Sequence, residues 1–121
     1  MKRKSFILSL AAFACLFVFA CAAQAPGDTE GRKALQTQLG GRVENGSVKI
    51  ISFKKTNGQL SAGGTEYKMD WEAEVECAQT VVIPLNALFT ETCREGAKLP
   101  LKSIYYFDKT ENGWIARRPG Y

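Results

Sequence analysis

Asp70, Glu72, Glu74 and Glu76 recur at every second position, and this row of carboxylates is the nearest the chain comes to a reactive constellation. Paired carboxyl groups can divide acid and base roles when their surroundings push their pKa values apart. Nothing else in the sequence assists them. Histidine is absent from all 121 residues, which removes histidine-activated nucleophiles and histidine general bases and deprives transition metals of their commonest ligand. Ser52, Thr56 and Ser61 have no base beside them in any motif, and Gly63-Gly64 runs on to Thr65-Glu66 instead of the Lys-Ser/Thr of a phosphate-cradling loop. The four acids also fall where the hydrophobic alternation predicts solvent, with Lys49, Lys54 and Lys102 available as cross-strand partners. A calcium site would gather its ligands on a loop. A solvated charged face is therefore expected, with no catalytic residue, metal site or cofactor, and a carboxylate-dependent enzyme ranks last among the readings.

Cysteine offers covalent chemistry of another kind, and its meaning depends on compartment. Met1-Lys2-Arg3-Lys4 precedes an apolar run from Phe6 to Ala20, which then breaks down into Gln24, Pro26, Gly27 and Asp28. The run is too short for a span, which takes about 20 apolar residues, and is built as an export signal over residues 1–20. Two cleavage readings stay open. Val18-Phe19-Ala20-Cys21 suits a lipoprotein signal, in which the Cys21 sulfur is acylated; Cys21-Ala22-Ala23 before Gln24 suits ordinary secretion to the periplasm or beyond. The lipoprotein reading is preferred, and Ala22, with no aspartate after Cys21, is similar to bacterial lipoproteins sent to the outer membrane. Acyl chains contribute about 0.8 kcal/mol per buried CH₂, and two or more give stable anchoring.

Removal of the signal changes both the charge and the cysteine arithmetic. The chain carries 16 Lys and Arg against 12 Asp and Glu, but Lys2, Arg3 and Lys4 leave with the signal and bring the two nearly level. No concentrated basic face is expected, hence no nucleic-acid partner; Lys54-Lys55 and Arg117-Arg118 read as solvated strand-end charges. Cys15 departs as well, leaving Cys77 and Cys93 as an even pair in an oxidising space, where a disulfide is favoured over two buried thiols. Closing a loop of about 15 residues, it would stabilise the fold by about 3 kcal/mol.

Residues 21–27 then form a brief tether and 28–121 one small α+β domain. Asp28 or Thr29 can cap a helix whose apolar face carries Leu35 and Leu39, with Ala34 beside them and Val43 just beyond, and Gly40-Gly41 stops it. Its partner is a sheet. Tyr67, Met69, Trp71, Ala73, Val75 and Cys77 alternate without error against Lys68, Asp70, Glu72, Glu74 and Glu76, the period of a half-buried strand. A second strand covers 48–55, with Ile51 and Phe53 on the face opposite Val48 and Ile50. Asn57-Gly58 and Gly63-Gly64 place a long loop between these two strands. Positions 101–108 and 114–117 form a closing hairpin across Thr110-Glu111-Asn112-Gly113. Val81 to Ile83 extends the strand before it or starts a short one, and Pro84 ends either. The Lys-Thr-Asn-Gly run at 55–58 echoes Lys109-Thr110-Glu111-Asn112-Gly113 and reads as the same turn solution used twice.

Helix, strand with Phe53-Lys54-Lys55-Thr56-Asn57-Gly58, strand with Tyr67 to Val75 and closing hairpin through Lys109-Thr110-Glu111-Asn112-Gly113-Trp114 resemble, in that order, the small bacterial envelope lipoproteins of cystatin-like or NTF2-like build. The resemblance implies one N-terminal helix packed on a curved antiparallel sheet of about four strands, with a small-molecule pocket at the open end. The histidine and aspartate pairs of NTF2-like enzymes have no matching positions here.

Aromatic residues supply the positive hint of binding. Tyr105, Tyr106 and Phe107 are consecutive, so either both faces of the sheet are covered or one ring is exposed. Trp71, Tyr105, Tyr106 and Trp114 are the candidate ligand-binding residues, with Tyr121 and Phe89 able to extend such a surface; against this stands a small core that takes every ring. The functional expectation is a non-catalytic, exported, lipid-anchored domain that binds a small apolar ligand or a partner protein on the sheet face or at the loop between Pro84 and Pro100. A hydrolase inhibitor of the disulfide-stapled lysozyme-inhibitor kind, working through a protruding loop, is the alternative.

Overall fold

The computed structural model describes residues 24–86 and 88–117. The export segment, Cys21 and Tyr121 lie outside them. The architecture is a sheet-rich α+β: one main helix, α1 (Asp28–Leu39), a one-turn helix α2 (Gly41–Glu44), and six strands, β1 (Val48–Leu60), β2 (Glu66–Cys77), β3 (Val81–Pro84), β4 (Thr90–Cys93), β5 (Lys98–Thr110) and β6 (Gly113–Ala116). Four strands make an antiparallel sheet in the order β1-β2-β5-β6, and β3 with β4 makes a separate hairpin.

The alternation in β2 organises the whole domain. Tyr67, Met69, Trp71, Ala73, Val75 and Cys77 are all buried, and the acids between them point to the opposite face. Each large apolar side chain so enclosed contributes about 1.5–3 kcal/mol. β5 continues both faces in register: Phe107 opposes Tyr67, Tyr105 opposes Met69, and Leu101 opposes Ala73. Lys102 opposes Glu72 on the outer face and pairs with it at 3.3 Å.

β1 departs from the expected phase and length. Ile51 and Thr56 are extra residues, bulges at which two residues oppose one on β2. Beyond Ile51 the phase flips, so Phe53 faces inward with Val48 and Ile50, whereas simple alternation places it opposite them. The strand also runs through Asn57-Gly58, which are not a turn. They pair with Asp70 and Met69, and the absent side chain of Gly58 makes room for the Tyr67 ring, which a Cβ there would strike. The connection is thus a short turn at 61–65 in which Gly64 takes φ +73°, not a long loop. The second Asn-Gly does turn: Gly113 has φ +101°, and Thr110 Oγ1 accepts the Asn112 N–H at 3.2 Å. The two echoed segments therefore serve different purposes.

α1 lies over β1 with Leu35 and Leu39 buried. Its cap is Gly27, with neither Asp28 nor Thr29 in that role. Glu30 Oε2 reaches back to the Gly27 N–H at 3.2 Å, and Asp28, the first helical residue, accepts the Lys55 N–H at 2.7 Å. Both carboxylates suit the positive end of the helix. Gly31 is the contact point, since a Cβ there would run into the Phe53 ring. Gly40, at φ +54°, ends α1, and one further turn carries Val43 against the core.

The segment after β2 resolves as a strand of its own. β3 pairs with β4, and Pro84 closes it opposite Thr90. Cys77 and Cys93 form a disulfide, Cα–Cα 6.2 Å, which staples the base of this hairpin to the end of β2. Among the described residues no helix is long and apolar enough to cross a membrane.

Candidate functional site

A helix some 12 residues long cannot cover a four-stranded sheet. α1 sits over β1, where Arg32 donates to the Ile50 carbonyl at 2.9 Å, and the β5–β6 side of the same face is left open as a groove of about 820 Å³. Its floor is Tyr105, Phe107, Trp114 and Ala116; α1 contributes Glu30, Lys33, Ala34, Thr37 and Gln38 as one wall; Pro84 and Asn86 at the tip of the β3–β4 hairpin close one end. The floor is aromatic and the rim is charged. This is the usual composition of a small-molecule site, apolar with a few placed polar groups.

The polar group at the bottom is held by a short network. Tyr105 Oη donates to Gln38 Oε1, and Gln38 Nε2 donates to the carbonyls of Pro84 at 2.6 Å and Leu85 at 3.2 Å. Gln38 thereby ties helix, sheet and hairpin tip together at the end of the groove. Burial pushes the Tyr105 hydroxyl well above the usual phenol range, so it stays neutral and remains a donor. At the other end Trp114 tilts against Tyr67, ring centroids 6.0 Å apart, and its indole N–H donates to the Gln24 carbonyl at 3.0 Å.

The four aromatic candidates do not form one patch. Tyr105 and Trp114 line the groove. Trp71 is sealed beneath it, 0% exposed, between Phe53 at 5.2 Å and Tyr105 at 4.9 Å. Tyr106 lies on the opposite face of the sheet, half exposed, with the Arg117 guanidinium 5.6 Å above its ring. Of the three consecutive rings, then, one is exposed and two are core. Gln38 escaped the sequence reading although the signal was there: it stands three residues after Leu35 and beside Leu39, on the stripe of α1 that faces the protein.

The outer face holds the carboxylate row. Glu72 and Glu74 border a shallow depression of about 510 Å³ together with Lys54 and Lys102. Asp70 Oδ1 is buried and has no hydrogen-bond partner. Among the described residues no group of three or more Cys, Asp or Glu is placed to hold a metal ion.

Lys55 and Arg117, read from the sequence as solvated strand-end charges, are both engaged. Arg117 is bound to Asp108 through contacts of 2.6 and 3.2 Å and to Glu66 at 2.6 Å, and its hydrogen bond holds the Asp108 carboxyl below the usual range. Lys55 donates to the Pro26 carbonyl at 3.0 Å and lies 5.0 Å over the Tyr67 ring. Both cations secure the start or the end of the described chain to the sheet.

Comparison of the chain with protein-family models, with curated proteins and with solved structures gives no match in any of the three.

Proposed function

We propose that this chain is an exported, non-catalytic binding domain of cystatin-like or NTF2-like build. It is anchored through acylated Cys21 at the periplasmic face of the outer membrane and receives a small apolar ligand in the groove between α1 and β5–β6. The observation that carries the proposal is the groove between α1 and β5–β6, which Tyr105, Phe107 and Trp114 line from the sheet side. About 820 Å³ lies within the 300–1,000 Å³ range of small-ligand sites. An aromatic floor suits a planar or aliphatic body, and Lys33 on the rim suits an anionic end group.

The test is binding of the apolar probe 1-anilinonaphthalene-8-sulfonate to the purified chain, followed by probe emission. Thr37 is exposed and lines the groove without entering the core, so Thr37→Trp fills the space while leaving the fold intact. Saturable binding that T37W lowers at least tenfold supports the groove. Absence of binding to the folded chain, or binding that T37W leaves untouched, refutes it. Native mass spectrometry of material taken from producing cells then identifies the natural occupant.

The inhibitor reading has an observation of its own. Asn86 Oδ1 accepts the N–H groups of Leu88 and Phe89 at 2.8 and 3.0 Å, and the hairpin tip so fixed presents these two side chains 86% and 64% exposed above the Cys77–Cys93 staple. Exposed apolar side chains on a stapled hairpin fit insertion into a partner protein. Leu88→Asp would abolish such an association and leave probe binding in the groove unchanged.

A further inference from the structure

The chain just after the acylation site is built into the domain. Pro26 is buried, its carbonyl is held by Lys55 at 3.0 Å, and the Gln24 carbonyl is held by the Trp114 indole at 3.0 Å. Only three residue steps separate Gln24 from Cys21, and an extended chain covers at most about 3.3–3.6 Å per residue, or about 10 Å in all. Even with the Gln24 contact released, the five steps from Pro26 reach about 17 Å. β5, with 13 residues at about 3.3 Å each, is about 43 Å long. A leash so much shorter than the domain permits one end of the sheet to meet the bilayer and forbids the other.

Strand direction identifies that end. β1 finishes at Leu60, β2 starts at Glu66, β5 finishes at Thr110 and β6 starts at Gly113, so the turns at 61–65 and 110–113 lie together at the end where Trp114 meets Gln24. The disulfide and Gly46 lie at the other. Leu60, 53% exposed, and Ile115, 55% exposed, are apolar side chains on this end, and Trp114 is half-buried with Lys109 placed 6.0 Å over its ring. An indole flanked by a lysine suits the headgroup layer. The charges here are mixed: Lys109 is next to Thr110-Glu111, and Arg117 is already engaged by Asp108 and Glu66.

We infer that the sheet end formed by Leu60, Trp114 and the two turns is seated on the phospholipid surface, with the Cys77–Cys93 end pointing away from it. The inference rests on acylation of Cys21. Seating follows from the acyl anchor and the short leash, and the mixed charges add no electrostatic attraction, so it is indifferent to salt.

The test uses the full chain, exported and purified from membranes, with its intact mass recorded first. It is reconstituted into phosphatidylethanolamine–phosphatidylglycerol vesicles in which a fraction of the headgroups carries a nitroxide quencher. The chain has 2 tryptophans, so emission that survives in Trp114→Phe comes from the enclosed Trp71. Expected are strong quenching of the wild type, at least a several-fold smaller effect in W114F, and no change on adding salt. Inserting a flexible Gly/Ser stretch of about twelve residues between Ala23 and Gln24, which adds about 20 Å of reach, should relieve the quenching. An acylated protein whose wild-type emission is not quenched, or is quenched equally in W114F or with the long insert, overturns the seating and leaves the anchor standing. A mass without the diacylglycerol group removes both.

Discussion

Phe53 stacks on Trp71 with ring centroids 5.2 Å apart and planes 24° from parallel, and the two meet because Ile51 is an extra residue in β1. Without the phase change at that bulge Phe53 would stand among the lysines of the outer face. With it, Phe53, Trp71 and Tyr105 form a run of rings across three neighbouring strands, from under α1 to the floor of the groove. Trp71 is therefore the keystone of the core and also the support on which the groove-lining Tyr105 rests.

Trp71→Ala should lower stability by about 3–5 kcal/mol, the range for removing a large buried aromatic side chain, measured by urea unfolding. A negligible change would mean that the ring is not enclosed. Trp71→Phe should cost distinctly less, because the indole N–H is buried without a partner and its removal relieves an unsatisfied donor while keeping most of the packing.

Deleting Ile51 tests the bulge itself. Ile50 and Phe53 both face inward, while Ile51 and Ser52 together oppose Glu74, so removing Ile51 restores plain alternation and keeps Phe53 on Trp71. The variant should stay folded and lose less stability than W71A. Deleting Glu72 from the middle of β2, which has no bulge, throws half the strand onto the wrong face and should abolish folding; circular dichroism and urea unfolding distinguish the two.

The same bulges explain what the sequence does and does not disclose. β2 is legible because both its faces are uniform from Glu66 to Cys77, and the pairing of Cys77 with Cys93 is suggested by their being the two cysteines that follow residue 21. In β1 the apolar residues Ile50, Ile51 and Phe53 fit two phases equally, and the choice is made by the side chains of Trp71 and Met69 on β2. Asn57-Gly58 carries a strong local turn signal that the Tyr67 ring overrides, since the chain needs a residue without a side chain at that point. Of the site, Tyr105 and Trp114 were visible as aromatics. The groove was not, because it depends on how far α1 lies toward β1, and that is set by Gly31 against Phe53 and by Arg32 on the Ile50 carbonyl.

The Arg117–Asp108 pair should make stability fall in acid. Asp108 is held below its ordinary range chiefly by the hydrogen bond from Arg117. A carboxylate whose folded pKa is depressed contributes stability above its unfolded value, about 3.9, and loses it as the pH falls through the folded value. In Arg117→Met the Asp108 carboxyl should titrate close to the unfolded value, as read by carbon-detected NMR. The difference in melting temperature between wild type and R117M should be largest near neutrality and shrink on acidification to about pH 3.

Reducing the Cys77–Cys93 bond, or replacing both residues by alanine, should lower the unfolding free energy by about 3 kcal/mol, the chain-entropy value for a loop of about 15 residues. The sheet should persist, because β3 and β4 belong to a separate hairpin. Limited proteolysis should then cut first near Leu88 and Phe89, at the exposed tip, where intact disulfide protein resists.

Tyr105→Phe isolates the network at the bottom of the groove. Loss of the hydroxyl leaves Gln38 Oε1 without its donor, at a cost of about 1–3 kcal/mol for a polar group left unsatisfied in a partly buried place. The alkaline behaviour supplies an independent check. Burial raises the folded pKa of Tyr105, so the stability it contributes is complete below the unfolded value, about 10, and is lost as the pH rises beyond it. Of the 4 tyrosines in the chain, Tyr105 should ionise only together with unfolding in a spectrophotometric titration, and Y105F should lack that late phase and lose stability less steeply above pH 10. Early ionisation of Tyr105 in the folded protein would mean that the floor of the groove is wet and that the hydroxyl is not reserved for Gln38.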